Sequence, residues 1–240
     1  PWESDNTGEE ACPVWALTGI FEQHITADVG IAFWNYYRVT HDRQWLKKEG
    51  YPLLKEVADF WVSRAVKNDD GSYSINNVVG SDEFEQNIDD DAFTNGAALS
   101  ALKDAALAAK ELDISPDPAW LKVAKNLRFY YFPDGVTKEN STYNGETIKQ
   151  ADVNLLAYPL QVVRNKEQII KNLAYYEPKI SKEGPAMSYS ILSILHARLG
   201  DRKKAFELFQ RAYLPNKRPP FGALSESATS NNPYFATGAG

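Results

Sequence analysis

The sequence predicts an all-α domain, and three observations support this. Apolar residues recur at steps of three and four along most of the 240-residue chain, the spacing of one helix face. The helical segments come in pairs, yet they lack a TPR-type or ankyrin-type repeat. The long stretches between them are rich in aromatic residues and Gly. These features fit either an irregular helical bundle or an α/α toroid, in which loops at one end of the ring form a site.

The first four predicted helices cover residues 26–41, 51–66, 95–112 and 117–127. The second and the fourth each begin with a proline, Pro52 and Pro118, which suits the first turn of a helix. Four further helices are predicted over 151–158, 166–177, 185–199 and 202–213. Gly200 and Asp201 separate the last two as a helix stop followed by a cap.

Three longer, irregular stretches lie between the helices, over residues 68–91, 129–150 and 214–240. In the first, the turn signal Asp69-Asp70-Gly71 precedes Tyr73–Val79, which predicts a short β-hairpin. Long loops in a compact helical domain are usually functional or disordered. Because these are rich in aromatic residues and Gly, we interpret them as functional.

Composition excludes several classes of protein. With 43% hydrophobic and 24% charged residues the chain resembles an ordinary globular protein, and its net charge of −6 argues against a nucleic-acid partner. No apolar run is long enough for a membrane helix, and no targeting segment is recognised. His24, His41 and His196 lack ligand spacing, and the single Cys12 makes no zinc site, so we expect no metal or other cofactor. The aromatic share of 12% favours a carbohydrate ligand modestly over a purely structural role.

Glu83 and Glu226 are the candidate catalytic residues, because each lies in one of these loops. Near Glu83, Asp82 and the acidic run 89–91 supply negative charge, which favours a protonated carboxyl group suited to a general acid. Glu226 stands among Ser, Thr and Asn side chains, a polar setting that favours an ionised general base. From the local sequence alone, each residue is slightly better explained as a solvated loop glutamate.

Two further pairs are candidates for binding substrate. Lys149 and Gln150 together offer five donor hydrogens to sugar hydroxyls, whereas the alternative is a surface junction between loop and helix. Trp2 and Glu3 place an indole face beside a hydroxyl acceptor, and the alternative is an unexceptional chain start.

Five ordered motifs resemble glycoside hydrolase family 65 over essentially the whole chain. They are Pro1-Trp2-Glu3-Ser4 with the Thr7–Pro13 segment, Glu22-Gln23-His24-Ile25, Asp82-Glu83-Phe84, Phe93-Thr94-Asn95, and Lys149-Gln150-Ala151-Asp152-Val153. The resemblance implies an (α/α)6 barrel, incomplete here, with Glu83 at the position of the general acid. It also implies that Trp2, Glu3, Lys149 and Gln150 hold the glucose that is transferred.

The segment around Glu226 resembles the hydrolase branch of the family rather than the phosphorylases, which carry a phosphate-binding loop instead of a second catalytic carboxylate. The implied function is inverting hydrolysis of an α-glucosidic bond in a small carbohydrate of the kojibiose or glucosyl-galactose type. In an inverting enzyme the carboxyl groups of Glu83 and Glu226 stand about 6.5–9.5 Å apart. Acid trehalase, disaccharide phosphorylase and a non-catalytic glycan-binding toroid are the alternatives.

The chain also departs from the family pattern. Leu224-Ser225 replace a Trp-Thr pair before the base and so remove an aromatic wall, and Ser81 stands where many members have Pro. The N-terminal β-sandwich domain, the first barrel helices and an upstream Trp-Asp motif are not found in residues 1–240. We therefore expect the chain to be a fragment of a catalytic domain, inactive by itself.

Overall fold

The computed structural model describes Glu9, Cys12 and residues 17–182 and 184–229. Most of these residues are helical, and the strands among them form two short antiparallel pairs. The predicted all-α class is confirmed. The chain divides into two compact units. Among the residues described, no helix combines the length and the apolar character needed to cross a bilayer.

The first unit comprises Pro1–Gly80, Glu85–Tyr130 and Glu139–Thr142. Its elements are α1 (Thr18–Phe21), α2 (His24–Thr40), α3 (Arg43–Trp45), a π-helical turn (Leu46–Gly50), α4 (Tyr51–Arg64), β1 (Val66–Lys67), β2 (Tyr73–Ser74), α5 (Ala92–Glu111) and α6 (Pro118–Asn126). The alanine-rich α5 is its central helix, packing against α2, α4 and α6. Small side chains allow close packing on several sides, and the core of the unit therefore lies around α5.

Caps explain where two of these helices begin. The Asp91 carboxylate accepts the Thr94 N–H at 2.7 Å, so α5 begins at Ala92, three residues before the predicted start. The Asp117 carboxylate accepts the Ala119 N–H at 2.7 Å and caps α6, which begins at Pro118 within the predicted segment 117–127. The predicted helix over 51–66 is confirmed by α4, with its proline in the first turn.

The predicted hairpin is also confirmed, although it is shorter than the sequence suggested. Strands β1 and β2 pair with Val66 opposite Ser74, and Gly71 turns the chain at a φ of +85°. The pairing ends at Ser74 because the next backbone N–H, that of Ile75, donates to the Asp90 carboxylate at 3.1 Å.

A buried charged histidine lies at the start of α2. Nδ1 of His24 lies 2.9 Å from Asp28 Oδ2, and Nε2 lies 3.3 Å from Glu22 Oε1, within ion-pair distance but outside hydrogen-bond geometry. Burial alone would lower the pKa of His24, but Asp28 and Glu22 outweigh it and raise the pKa to about 10. The imidazolium form is therefore the native one at neutral pH.

This ion cluster predicts a specific loss of stability at alkaline pH. Folding raises the pKa of His24 from 6.5 to about 10. The contribution of His24 to the free energy of unfolding is therefore complete below pH 6.5 and is lost as the pH rises to about 10. The difference in free energy of unfolding between wild type and His24→Gln should shrink over this window, by at most about 1.4 kcal/mol per pH unit. Denaturant titrations at several pH values measure it. A constant difference would contradict the prediction, and His41→Asn at the exposed His41 is the control.

The second unit comprises Ser81–Phe84, Tyr131–Lys138 and Tyr143–Gly240. Its elements are a 3-10 turn (Val153–Leu156), α7 (Lys166–Tyr176), a second 3-10 turn (Glu177–Lys179), α8 (Met187–Leu199), α9 (Arg202–Arg211), a third 3-10 turn (Leu214–Asn216), β3 (Lys217–Arg218) and β4 (Ala223–Leu224). Helices α8 and α9 pack together. Gly200 ends α8 at a φ of +94°, and the Asp201 carboxylate accepts the Lys204 N–H to cap α9, as predicted.

Two predictions for this unit need correction. The predicted helix over 151–158 is wrong: only the 3-10 turn over 153–156 forms. The backbone at Asp152 is not helical, and the N–H groups of Leu155 and Ala157 bond three residues back, to Asp152 O at 2.8 Å and Asn154 O at 3.2 Å. The sequence predicts an irregular stretch from residue 214 onward, yet β3 and β4 form a hairpin within it. Gly222 allows the turn at a φ of +74°, a conformation that favours glycine.

Candidate active site

Two segments of the second unit, Ser81–Phe84 and Lys149–Asp152, lie side by side. Lys149 Nζ donates to Glu83 Oε2 at 2.5 Å, and the Lys149 backbone N–H donates to the Asp82 carboxylate at 2.7 Å. The side-chain amide of Gln150 donates to the Ser81 carbonyl oxygen. The structure therefore brings together three of the predicted site residues, Glu83, Lys149 and Gln150.

Buried carboxyl groups hold these segments in place. Asp82 and Asp152 are each 1% exposed, whereas the side chain of Glu83 is 28% exposed. Asp82 also accepts the Phe84 N–H at 3.2 Å, so it bonds to the backbone on the far side of Glu83 as well as to Lys149. Ser81 Oγ lies 2.8 Å from the Asp152 carboxylate. The acidic neighbours of the predicted residues are thus supports, and Glu83 is the acid of its segment that solvent reaches.

Sequence reasoning missed these supporting roles. The sequence indicates Asp82 only as a source of negative charge, and Asp152 only as a member of the motif that begins at Lys149. Asp82 directly precedes Glu83 and Asp152 lies two residues after Gln150, and this proximity to predicted site residues is the signal that the sequence offers. Their partners, however, lie about 70 positions away in the chain, with separations of 67 and 71 residues.

The start of α8 supports the Lys149–Asp152 segment from another side. Ser188 Oγ accepts the Ala151 N–H at 2.9 Å. A Cβ atom on Gly184 would lie 2.1 Å from the Lys149 carbonyl oxygen, so only glycine allows the two backbones to approach this closely. Ile148 is fixed by backbone hydrogen bonds to Lys179 O at 3.0 Å and from Ser181 N at 2.8 Å. Lys149 therefore projects from a backbone that is held on several sides.

Glu226 lies in a different loop of the same unit, directly after β4. The neighbouring Ser225 and Ser227 are buried, and Glu226 between them is partly exposed. The Ser225 N–H donates to the Asn216 carbonyl oxygen at 2.9 Å, which ties the start of this turn to the third 3-10 turn. Trp2 and Glu3 lie outside the described residues, so their predicted roles stay predictions.

The chemistry available here is that of carboxyl, ammonium and amide groups. Glu83 can exchange a proton, and Lys149 and Gln150 can donate hydrogen bonds to hydroxyl groups. Within the described residues, no group of three or more His, Cys, Asp and Glu side chains is arranged to hold a metal ion.

Comparison with known proteins relates this site to a family. The model of the glycosyl hydrolase family 65 central catalytic domain matches residues 1–130 and 135–216. A kojibiose hydrolase of Mucilaginibacter mallensis is 52% identical over 100% of this chain and 36% of its own length. A protein-glucosylgalactosylhydroxylysine glucosidase of Dictyostelium discoideum is 38% identical over 100% of the chain and 34% of its own length.

A solved structure has a similar fold. The chain superimposes on a putative kojibiose phosphorylase from human microbiome with a TM-score of 0.71, at 20% identity, covering 85% of this chain and 37% of that one. This likeness agrees with the (α/α)6 fold class that the sequence motifs implied. The chain spans about a third of the length of the curated relatives it matches. The family model matches most of the chain, and the chain belongs to glycosyl hydrolase family 65, in its central catalytic domain.

Proposed function

We propose that the protein containing this chain is an inverting α-glucosidase that hydrolyses kojibiose or a glucosyl-galactose glycan. Among the observations within the site, the contact between Lys149 and Glu83 carries most weight, because it joins a proton-exchanging group to a donor for sugar hydroxyls. The 52% identity to a kojibiose hydrolase over the whole chain supports the substrate class.

In the proposed mechanism, Glu83 donates a proton to the departing glycosidic oxygen while the bond to the anomeric carbon breaks. Glu226 removes a proton from a water molecule that attacks that carbon from the opposite face of the ring. Trp2, Glu3, Lys149 and Gln150 hold the glucose being cleaved. Hydrogen bonds that position the ring in this way lower the entropic part of the barrier.

Lys149 takes part in a local rearrangement under this proposal. An acid role requires a proton on Glu83, whereas the ammonium group of Lys149 is a partner for the ionised carboxylate. Entry of glucose therefore replaces the contact by one between Lys149 and a sugar hydroxyl. In this exchange Glu83 takes up a proton from solvent water, and it then faces the glycosidic oxygen in its protonated form.

The products released by the full-length protein test this function. Kojibiose, trehalose, nigerose and maltose should be incubated with and without phosphate, and the anomer of the released glucose should be followed by NMR. We expect fastest turnover of kojibiose, without phosphate dependence. We also expect an initial excess of β-glucose over the anomeric mixture that the departing reducing glucose contributes. Preferred cleavage of trehalose would instead identify an acid trehalase, and glucose 1-phosphate would identify a phosphorylase. With kojibiose, an initial excess of α-glucose over the anomeric mixture that its reducing glucose contributes would contradict inversion, and binding without turnover would indicate a non-catalytic toroid.

A further inference from the structure

Two side chains hold the turn that carries Glu226. Asn216 precedes the β3–β4 hairpin, and Arg218 lies in β3. Asn216 Nδ2 donates to the carbonyl oxygens of Ser225 and Glu226, at 2.9 and 3.1 Å. The guanidinium group of Arg218 donates to the carbonyl oxygens of Ser227 and Ala228, at 3.1 and 2.7 Å. Four successive carbonyl groups, from Ser225 to Ala228, are thus bound by Asn216 and Arg218.

This arrangement is built rather than incidental. Asn216 is 3% exposed. Its carbonyl oxygen accepts two hydrogen bonds from Ser225, from the backbone N–H at 2.9 Å and from the hydroxyl group at 3.1 Å. Arg218 also donates to the Pro215 carbonyl oxygen at 3.1 Å. Buried polar side chains need hydrogen-bond partners, and here those partners are the backbone on both sides of Glu226.

We infer that Asn216 is a positioning residue for Glu226, with Arg218 as its second support. The inference rests on the proposed function, in which Glu226 activates the attacking water. Asn216 touches neither sugar nor water in this scheme; it fixes the peptide group from which the Glu226 side chain projects. A displacement of about 1 Å at a reacting group can lower a rate by about a hundredfold. Losing the two Asn216 contacts should therefore lower kcat and leave glucose binding intact.

Asn216→Ala and Asn216→Asp in the full-length protein test this inference. The aspartate keeps the shape of the side chain but removes the N–H donor. For kojibiose hydrolysis we expect kcat to fall about 10–100-fold with KM changed less than about twofold. Glucose, tested as a competitive inhibitor, should keep its inhibition constant, which shows that the glucose site is folded.

The response to azide distinguishes a residue that positions the base from one that only stabilises the fold. Azide attacks the anomeric carbon without a general base, and the departing oxygen takes its proton from Glu83, so that β-glucosyl azide forms. Azide should restore turnover in Asn216→Ala, as in Glu226→Ala. Arg218→Lys, which loses the forked donor, should show the same pattern more weakly and serves if the Asn216 variants do not fold.

Asn172→Ala is the matched control. Asn172 is also 3% exposed and also holds a loop of the second unit, by accepting the Thr137 N–H at 3.0 Å. The Asn172→Ala variant should be less stable than wild type, but its kcat should be unchanged and azide should not affect its turnover. A normal kcat in the Asn216 variants, with Glu226→Gln inactive, would overturn the positioning role and leave the proposed function intact. Normal hydrolysis by Glu226→Gln would instead overturn the proposed base.

Discussion

Replacing Glu83 by Gln in the full-length protein should lower kcat on kojibiose by a factor of about 10²–10⁴. Glutamine keeps the shape of the side chain and an acceptor for Lys149 Nζ, but it has no proton to give to the departing oxygen. Because the loss lies in the bond-breaking step, KM should change little. Steady-state kinetics at one pH measures both quantities.

A change of leaving group makes the test of Glu83 specific. Fluoride departs without protonation, so α-glucosyl fluoride should remain a good substrate for Glu83→Gln. The exposed glutamate Glu167, on α7 in the same unit, provides the control variant Glu167→Gln, which should behave as wild type. If Glu83→Gln lost activity equally on kojibiose and on α-glucosyl fluoride, the role of Glu83 would be binding or folding and the acid assignment would be wrong.

Replacing Glu226 by Gln should remove turnover of kojibiose and α-glucosyl fluoride alike, by at least about 10²–10⁴ in kcat. Water still has to be activated whichever group departs, so a better leaving group does not compensate for a missing base. Azide, which needs no base, should restore product formation as β-glucosyl azide. NMR of the product identifies its anomeric configuration.

The two variants together separate acid from base. A better leaving group should restore turnover in Glu83→Gln, and azide should not. Azide should restore turnover in Glu226→Gln, and a better leaving group should not. The opposite pattern would exchange the two assignments. Hydrolysis at the wild-type rate by either variant would remove that residue from the mechanism.

Local sequence signals predicted most of the helical framework. The proline at the start of α6, the cap at Asp201, the stop at Gly200 and the turn at Gly71 all act as their residue types suggested. These signals succeed because each depends on hydrogen bonds or backbone angles within a few residues. The motif around Glu83 and the pair Lys149-Gln150 also marked the part of the chain that forms the site.

Prediction failed where a distant partner determines the backbone. The expected helix over 151–158 does not form, and distant groups hold its first residues instead: Ser188 accepts the Ala151 N–H, and Ser81 donates to the Asp152 carboxylate. Apolar periodicity contains no information on such contacts. Asn216 was missed for the same reason, because one polar residue in a polar loop has no local feature that shows which carbonyl groups it binds.

Read alone, the order of residues was enough for the helical class, for the family motifs and for the choice of Glu83 and Glu226 as candidates. Only the folded chain established that Lys149 reaches Glu83, that the buried carboxylates of Asp82 and Asp152 support this pair, and that Asn216 holds the turn of Glu226. The reason is physical: helix caps and periodicity are short-range properties of the backbone. Contacts between residues about 70 positions apart instead depend on how the whole unit packs.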